Sequence, residues 1–246
     1  MIHSIKGLIL IIVLFILNTT IGQQVQQWID GLENPKYPVD ELHEENFKSK
    51  YLSYDFSTLL IPRQEFLGYI GSDYRRIRIY YTSVFKDTNN PEIYRIIGIS
   101  VVLDNVCDFQ GTITVEQVRE YKTMHFGVDD KYKNSGFKSQ GLVIGKYEFR
   151  EDPGQYHSGI FSGIVTLYWY TDKYGILHYD DLEFQSDRFK NNQYVGTWSD
   201  YGHEITKPCN WGEYRIPFSG DLDIGSGFFS PNPKYFNMGW EDLKVE

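Results

Sequence analysis

From Phe66 onward, apolar and polar residues alternate with a period of two, the spacing of a strand that turns one face to a core and the other to water. In the run 76–85, Ile77, Ile79, Tyr81 and Phe85 share one face, and Arg76, Arg78 and Thr82 the other. A turn cluster at 87–91 follows. Beyond it, Ile93, Ile97, Ile99, Val101 and Leu103 repeat the alternation, and Asp104 and Asn105 begin another reversal. Phe109, Ile113 and Val115 then face inward, with Gln110, Thr112, Thr114 and Glu116 outward. Strands over 76–85, 93–103 and 109–118 therefore form a meander.

After a polar loop from Lys122 to Ser139, the same pattern predicts strands over 142–150, 159–171, 176–184, 193–199 and 213–218, with a further alternating run at 221–229. Asp152, Pro153 and Gly154 make a turn by their chemistry, and the tail from Trp240 reads as a helical turn. Ahead of the strands, 23–65 is a polar arm in which Leu42, Phe47 and Tyr51 fall loosely on one helical face, consistent with a short helix. One regularity recurs, an aromatic residue followed two positions later by glycine: Phe66 and Gly68, Phe109 and Gly111, Phe161 and Gly163, Tyr194 and Gly196. Glycine in mid-strand marks a bend or a close approach of backbone to an aromatic ring. Short turns and glycine bends favour an all-β, antiparallel up-and-down meander closed or partly closed into a barrel, with a β-sandwich as the alternative.

Composition sharpens this picture. The 246 residues include 20 Tyr, 16 Phe and 22 Gly, a balance that suits pleated sheet and tight turns. The first 22 residues carry one lysine (Lys6), an apolar run over 7–17, and small residues at Thr20 and Gly22, the layout of a cleaved secretory signal. The expected organisation is thus a signal over 1–22, the arm over 23–65 and a β domain over 66–246, in a secreted or periplasmic protein with no membrane span after cleavage. An uncleaved anchor is the rival reading of the leader. Removing Lys6 takes the net charge from −9 to −10. An acidic chain without a basic cluster lacks the footprint that nucleic acid demands, which excludes that partner class.

Two cysteines in an exported chain, Cys107 and Cys209, suggest one disulfide. Closing so long a loop would stabilise the fold by about 4 to 5 kcal/mol in the chain-entropy picture. Two separate buried thiols are the alternative.

Motifs for catalysis and cofactors are missing from the sequence. No Gly-x-Ser-x-Gly elbow occurs, no phosphate-cradling glycine loop, and the histidines from His43 to His203 are isolated, so no cofactor is expected. Asp221 and Asp223, between glycines, are the best metal candidates, yet they lack the further oxygen donors that calcium needs. Asp180, Asp181 and Glu183 could supply a glycosidase pair, with Asp181 and Glu183 on one strand face. Aromatic residues are the stronger asset. In 160–170 one face carries Phe161, Val165, Leu167 and Trp169 and the other Ile164, Tyr168 and Tyr170, so this strand is either covered on both sides or has one face that binds.

The string Tyr194-Val-Gly-Thr-Trp198 resembles the Gly-x-Trp strand of calycin barrels, the lipocalins, avidins and their relatives. The segments 105–113 and 209–225 look similar to uncharacterised exported bacterial β-proteins, a likeness that carries no known activity. The calycin resemblance implies a barrel holding a small apolar or aromatic ligand, for which Trp169, Trp198 and Tyr147 are the wall candidates. A protein-interaction or inhibitor-type envelope module and a carbohydrate-active enzyme are the alternatives. Catalysis is the weaker expectation.

Overall fold

A computed structural model describes residues 22–243, so that, apart from Gly22, the expected signal segment lies outside the described residues. Nine strands follow the arm: β1 (Leu67–Ile70), β2 (Arg75–Lys86), β3 (Ile93–Val102), β4 (Asn105–Glu120), β5 (Ser139–Glu151), β6 (Gly159–Thr171), β7 (Leu177–Tyr179), β8 (Asn191–Asp200) and β9 (Thr206–Glu213). Each pairs antiparallel with its neighbour, β6 passes on to β8, and β9 returns to β1, so eight strands close a barrel while β7 is an extra strand on the far end of β6. The structure is the barrel, and the sandwich is not realised.

The alternation of side chains sets what fills the barrel, with two informative departures. In β2 the bulge between Tyr81 and Ser83 inserts one residue and reverses the parity. Ile77, Ile79 and Tyr81 point inward as the pattern predicts, but Val84 takes the next inward place and Phe85 is turned out, 44% exposed. Register then passes the reversal to β3: Tyr94 and Ile96 are buried, opposite Lys86 and Val84, while Ile97 and Leu103 are exposed. The inward face assigned to 93–103 from sequence is therefore the outer one. Both parities of that strand are apolar, so periodicity could not choose between them. In β4, Phe109, Ile113 and Val115 are buried as expected.

Three further expectations are corrected. The strand placed at 176–184 is only β7, because the chain turns at 181–184. The segments 213–218 and 221–229 are not strands; Tyr214 and Phe218 take positive φ, and 221–229 holds a single bridge, Asp223 to Pro231. The actual last strand, β9, precedes them and was hidden by its polar residues and Pro208. No disulfide forms. Cys107 lies on β4 and Cys209 on β9, strands that are not neighbours, and both are free, buried thiols.

The recurrent glycines make room for rings. A methyl group at Gly196 would lie 2.5 Å from the Tyr147 hydroxyl and 2.1 Å from the Ser162 carbonyl oxygen, and one at Gly163 would lie 2.9 Å from the same hydroxyl. The Tyr147 tip therefore sits directly on the backbones of β6 and β8.

Both ends of the barrel are shut by a buried carboxylate. At one end Glu151 accepts from Trp198 Nε1 (2.9 Å), Gly159 N (2.8 Å) and the Ser100 hydroxyl. At the other, Glu213 accepts from Arg63 N (2.7 Å), Gln64 N (3.0 Å), Asn192 Nδ2 (2.8 Å) and the Tyr179 hydroxyl (2.9 Å). Burial holds both carboxyls above their ordinary range. The Glu213 end is also plugged by two short helices of the arm, Lys48–Tyr51 and Ser57–Leu60, with the Tyr51 ring 4.5 Å from Trp169 and Phe56 6.4 Å from it.

Arm and tail clothe the outer wall on different sides. Helical residues 22–33 lay Ile29 and Leu32 on Leu142 and Ile144, the outward residues of β5, with Leu42 and Tyr168 in the same cluster. The C-terminal segment buries Leu222 and Trp240 against Tyr69 on the outside of β1, and includes a 3-10 turn at Glu241–Leu243 where a helical turn is expected from sequence. Among the described residues, no helix is long and apolar enough to cross a membrane.

Candidate functional site

The wall candidates from the sequence are core residues placed at three different levels of the barrel. Trp169 packs on Tyr51 and Phe56 at the plugged end, Trp198 binds Glu151 at the other, and Tyr147 lies between them against Phe149, Tyr194 and Trp211. Their exposures are 0%, 8% and 3%. The fold does not gather them around one space.

The candidate acids also separate. Asp181 is ion-paired with Arg63, whereas Glu183 lies across the turn that replaces the expected strand, so the shared strand face assumed for them does not exist. Asp221 is engaged by Lys234 and by the Tyr235 hydroxyl (2.7 Å), and Asp223 by Arg215 (2.6 Å) and the amide of Ser230 (3.1 Å). Those carboxylates are committed to holding the tail.

A cavity of about 570 Å³ lies outside the barrel, between the arm helix and the wall made by β5, β6 and β8. That volume is in the range of small-molecule sites. Its aromatic surfaces come from Trp28 and Tyr37 of the arm, Tyr121 after β4, Tyr168 of β6, Phe189 before β8 and Phe218 after β9. The reason these meet is the outward apolar face of β5 and β6: Leu142 and Tyr168 need cover, Leu32 of the helix supplies it, and the gap beside Leu32 becomes the cavity. Trp28, one turn earlier on the same helical face, closes the side with its ring 5.9 Å from Phe218.

Polar groups converge on the same space. Gln193 is 1% exposed, and its Nε2 donates to the carbonyls of Asn191 (2.9 Å), Arg215 (3.1 Å) and Glu213 (3.2 Å). Three carbonyls around one nitrogen fix the amide orientation, because a flipped amide would set its oxygen against them. Oε1 is left buried without a partner, as is the indole Nε1 of Trp28. The Lys190 ammonium lies 4.7 Å from the centre of the Trp28 ring, and burial lowers its pKa. On the opposite side, Asp180 accepts from Gln140 Nε2 (2.6 Å) and from Leu182 N (3.2 Å), with its carboxyl held up by burial. Burial also raises the Tyr121 and Tyr168 hydroxyls, with Asp40 and Asp180 adding to it.

Sequence reasoning identified Tyr168 as part of a doubly apolar strand but missed Trp28, Lys190 and Gln193. Trp28 and Leu32, four residues apart in a segment read only as polar lead-in, were the available signal for an arm helix with one apolar face. Nothing in the local sequence marked Gln193, which matters through its buried neighbours. Comparison with protein-family models, curated proteins and solved structures gives no match. The site is therefore read on its own chemistry.

Proposed function

We propose that this is an exported, non-catalytic binding protein that holds a small molecule with a flat apolar or aromatic body in the cavity between arm and barrel wall. The ligand then lies outside the barrel instead of in its mouth, where the calycin resemblance would place it. One observation carries the reading: a space of about 570 Å³ between arm and barrel wall, lined by the rings of Trp28, Tyr37, Tyr121, Tyr168, Phe189 and Phe218. A concave space of this size with apolar and aromatic walls is the usual setting of a small-molecule site.

The test uses Gly31, which lines the cavity on the arm helix and has open space where a side chain would begin. Gly31→Trp should fill the site and leave the fold intact. Native mass spectrometry of protein purified from its own host is expected to show a retained small molecule in the wild type and none in the variant. Equal retention in both would refute the site.

A second reading, a protein-interaction module, has its own support. Phe85 and Ile97 lie exposed on the outer face of β2 and β3, each more than two-fifths accessible, with Tyr80 beyond them held at its hydroxyl by Glu65 of the arm (3.1 Å). A partner that co-purifies with the wild type and is lost on replacing Phe85 and Ile97 by serine would favour it.

A further inference from the structure

We propose that the loop 224–230 is a docking element that seats Phe228 in an apolar pocket, rimmed by basic side chains, on another protein. The proposal is independent of the cavity and of its ligand.

Phe228 is 82% exposed, the most accessible large apolar side chain among the described residues, and Ile224 at the foot of the same loop is 58% exposed. On a loose loop such exposure would mean little, but this loop is fixed. Arg215 donates to the carbonyls of Gly225 (3.1 Å), Ser226 (3.0 Å) and Gly227 (2.6 Å) and pairs with Asp223 (2.6 Å). Asp223 in turn accepts from the amides of Gly225 (3.0 Å) and Ser230 (3.1 Å), and the Ile224 amide donates to the Ser230 carbonyl (2.9 Å). The Arg215 and Asp223 side chains are only 17% and 8% exposed, so the clamp is sheltered from water and from salt. Gly225 permits the tight closure, because a methyl group there would collide with the Phe228 carbonyl oxygen.

The two adjacent phenylalanines have opposite fates. Phe229 packs onto Trp240, ring centres 5.3 Å apart, in the apolar cluster under the tail. Phe228 is left in water. The free chain thus forgoes the burial of a whole aromatic side chain, and a pocket on a partner recovers it with little ordering cost, since the loop is already held. Aromatic anchors of this kind dominate the energetics of protein interfaces.

Charge specifies the pocket. The Asp187 carboxylate lies 3.3 Å from where a methyl group on Gly227 would be, and it makes no ion pair or hydrogen bond among the described residues. The cations on this side are engaged, Arg215 by Asp223, Arg188 by Asp40 and Lys234 by Asp221. The free charge beside the loop is therefore negative, on a chain of net charge −9. Basic side chains around the partner's pocket complement that field. A second copy of this chain would bring like charge, and an anionic lipid surface would find no free lysine or arginine here to attract it.

Photo-crosslinking of the full chain in its own host tests the docking. Phe228→p-benzoylphenylalanine is compared with the same replacement at Tyr174, a residue 73% exposed on the turn between β6 and β7. Irradiation at 228 should give one dominant adduct with another protein, its crosslinked peptide mapping to an apolar pocket with lysine or arginine at the rim, and position 174 should not give it. With that protein purified, Phe228→Ala should weaken binding by about thirtyfold or more, the size of a hot-spot truncation. Asp187→Lys should weaken it by about threefold, an effect that fades as salt is raised. Neither variant should shift the melting temperature, because both side chains are exposed. The same adduct at both positions, an adduct with lipid or with a second copy, or no adduct at all overturns the proposal. So does sedimentation with phosphatidylcholine vesicles that Phe228→Ser abolishes, or a purified partner whose affinity Phe228→Ala leaves unchanged.

Discussion

Glu213 offers the sharpest test of how the barrel end is held. Its side chain is fully buried, and its two oxygens accept from two backbone amides of the arm, Arg63 and Gln64, from Asn192 Nδ2 and from the Tyr179 hydroxyl. Glu213→Leu has similar bulk but strands the buried Asn192 and Tyr179 donors away from water, while the amides of the exposed residues Arg63 and Gln64 lose their acceptor in a part-buried setting. An unmade buried hydrogen bond is unfavourable by about 1 to 3 kcal/mol. Even at the low end the two buried donors together amount to about 2 kcal/mol, a sizeable part of the roughly 5–15 kcal/mol that holds an ordinary domain. Glu213→Gln should cost under about 2 kcal/mol. Its carbonyl oxygen still serves the two amides and its new NH2 can donate to the Tyr179 hydroxyl, so the loss is confined to the bond from Asn192 Nδ2, itself a donor. Urea unfolding followed by tryptophan fluorescence measures both, with an unchanged slope showing that the midpoint shift is a stability change. A leucine variant within about 1 kcal/mol of wild type, or one no worse than the glutamine variant, would refute the claim that this carboxylate organises the closed end.

Other consequences are open to measurement. Because burial raises Glu151 and Glu213, their favourable contribution is complete below the ordinary carboxyl value of 4.5 and fades as pH rises through the elevated folded values. Replacing both with glutamine should flatten the melting temperature against pH above about 4.5, and an unchanged profile would show that other groups dominate. Gly196→Ala forces a methyl group into the Ser162 carbonyl and the Tyr147 hydroxyl, so a loss of about 1 to 3 kcal/mol is expected, partly restored by Tyr147→Phe. A neutral Gly196→Ala would contradict the close approach. Since the thiols are separate, dithiothreitol should leave the melting temperature unchanged, and Cys209, whose thiol pKa burial pushes up, should react with iodoacetamide only on unfolding. Phe85→Ser should change stability by no more than about 0.5 kcal/mol, where a core phenylalanine would lose several, and circular dichroism melts distinguish the two.

The sequence by itself determined the class of structure. Alternation with period two is a local property, set by the way successive side chains leave an extended backbone, so β2, β4, β5, β6 and β8 were legible along with the turns between them. The aromatic-to-glycine spacing likewise announced rings lying on backbone, as Tyr147 does over Gly163 and Gly196. What needed the tertiary structure was every choice between two locally equivalent options. One inserted residue in β2 decided whether Phe85 or Val84 looked inward, and β3, apolar on both parities, took its orientation from that neighbour. The fate of Cys107 and Cys209 depended on which strands lie side by side, and the cavity on an arm helix meeting a wall more than a hundred residues away in the chain. A residue such as Gln193 acquires meaning only from the three carbonyls that claim its nitrogen, because hydrogen-bond satisfaction is a property of the folded surroundings and not of the residue type.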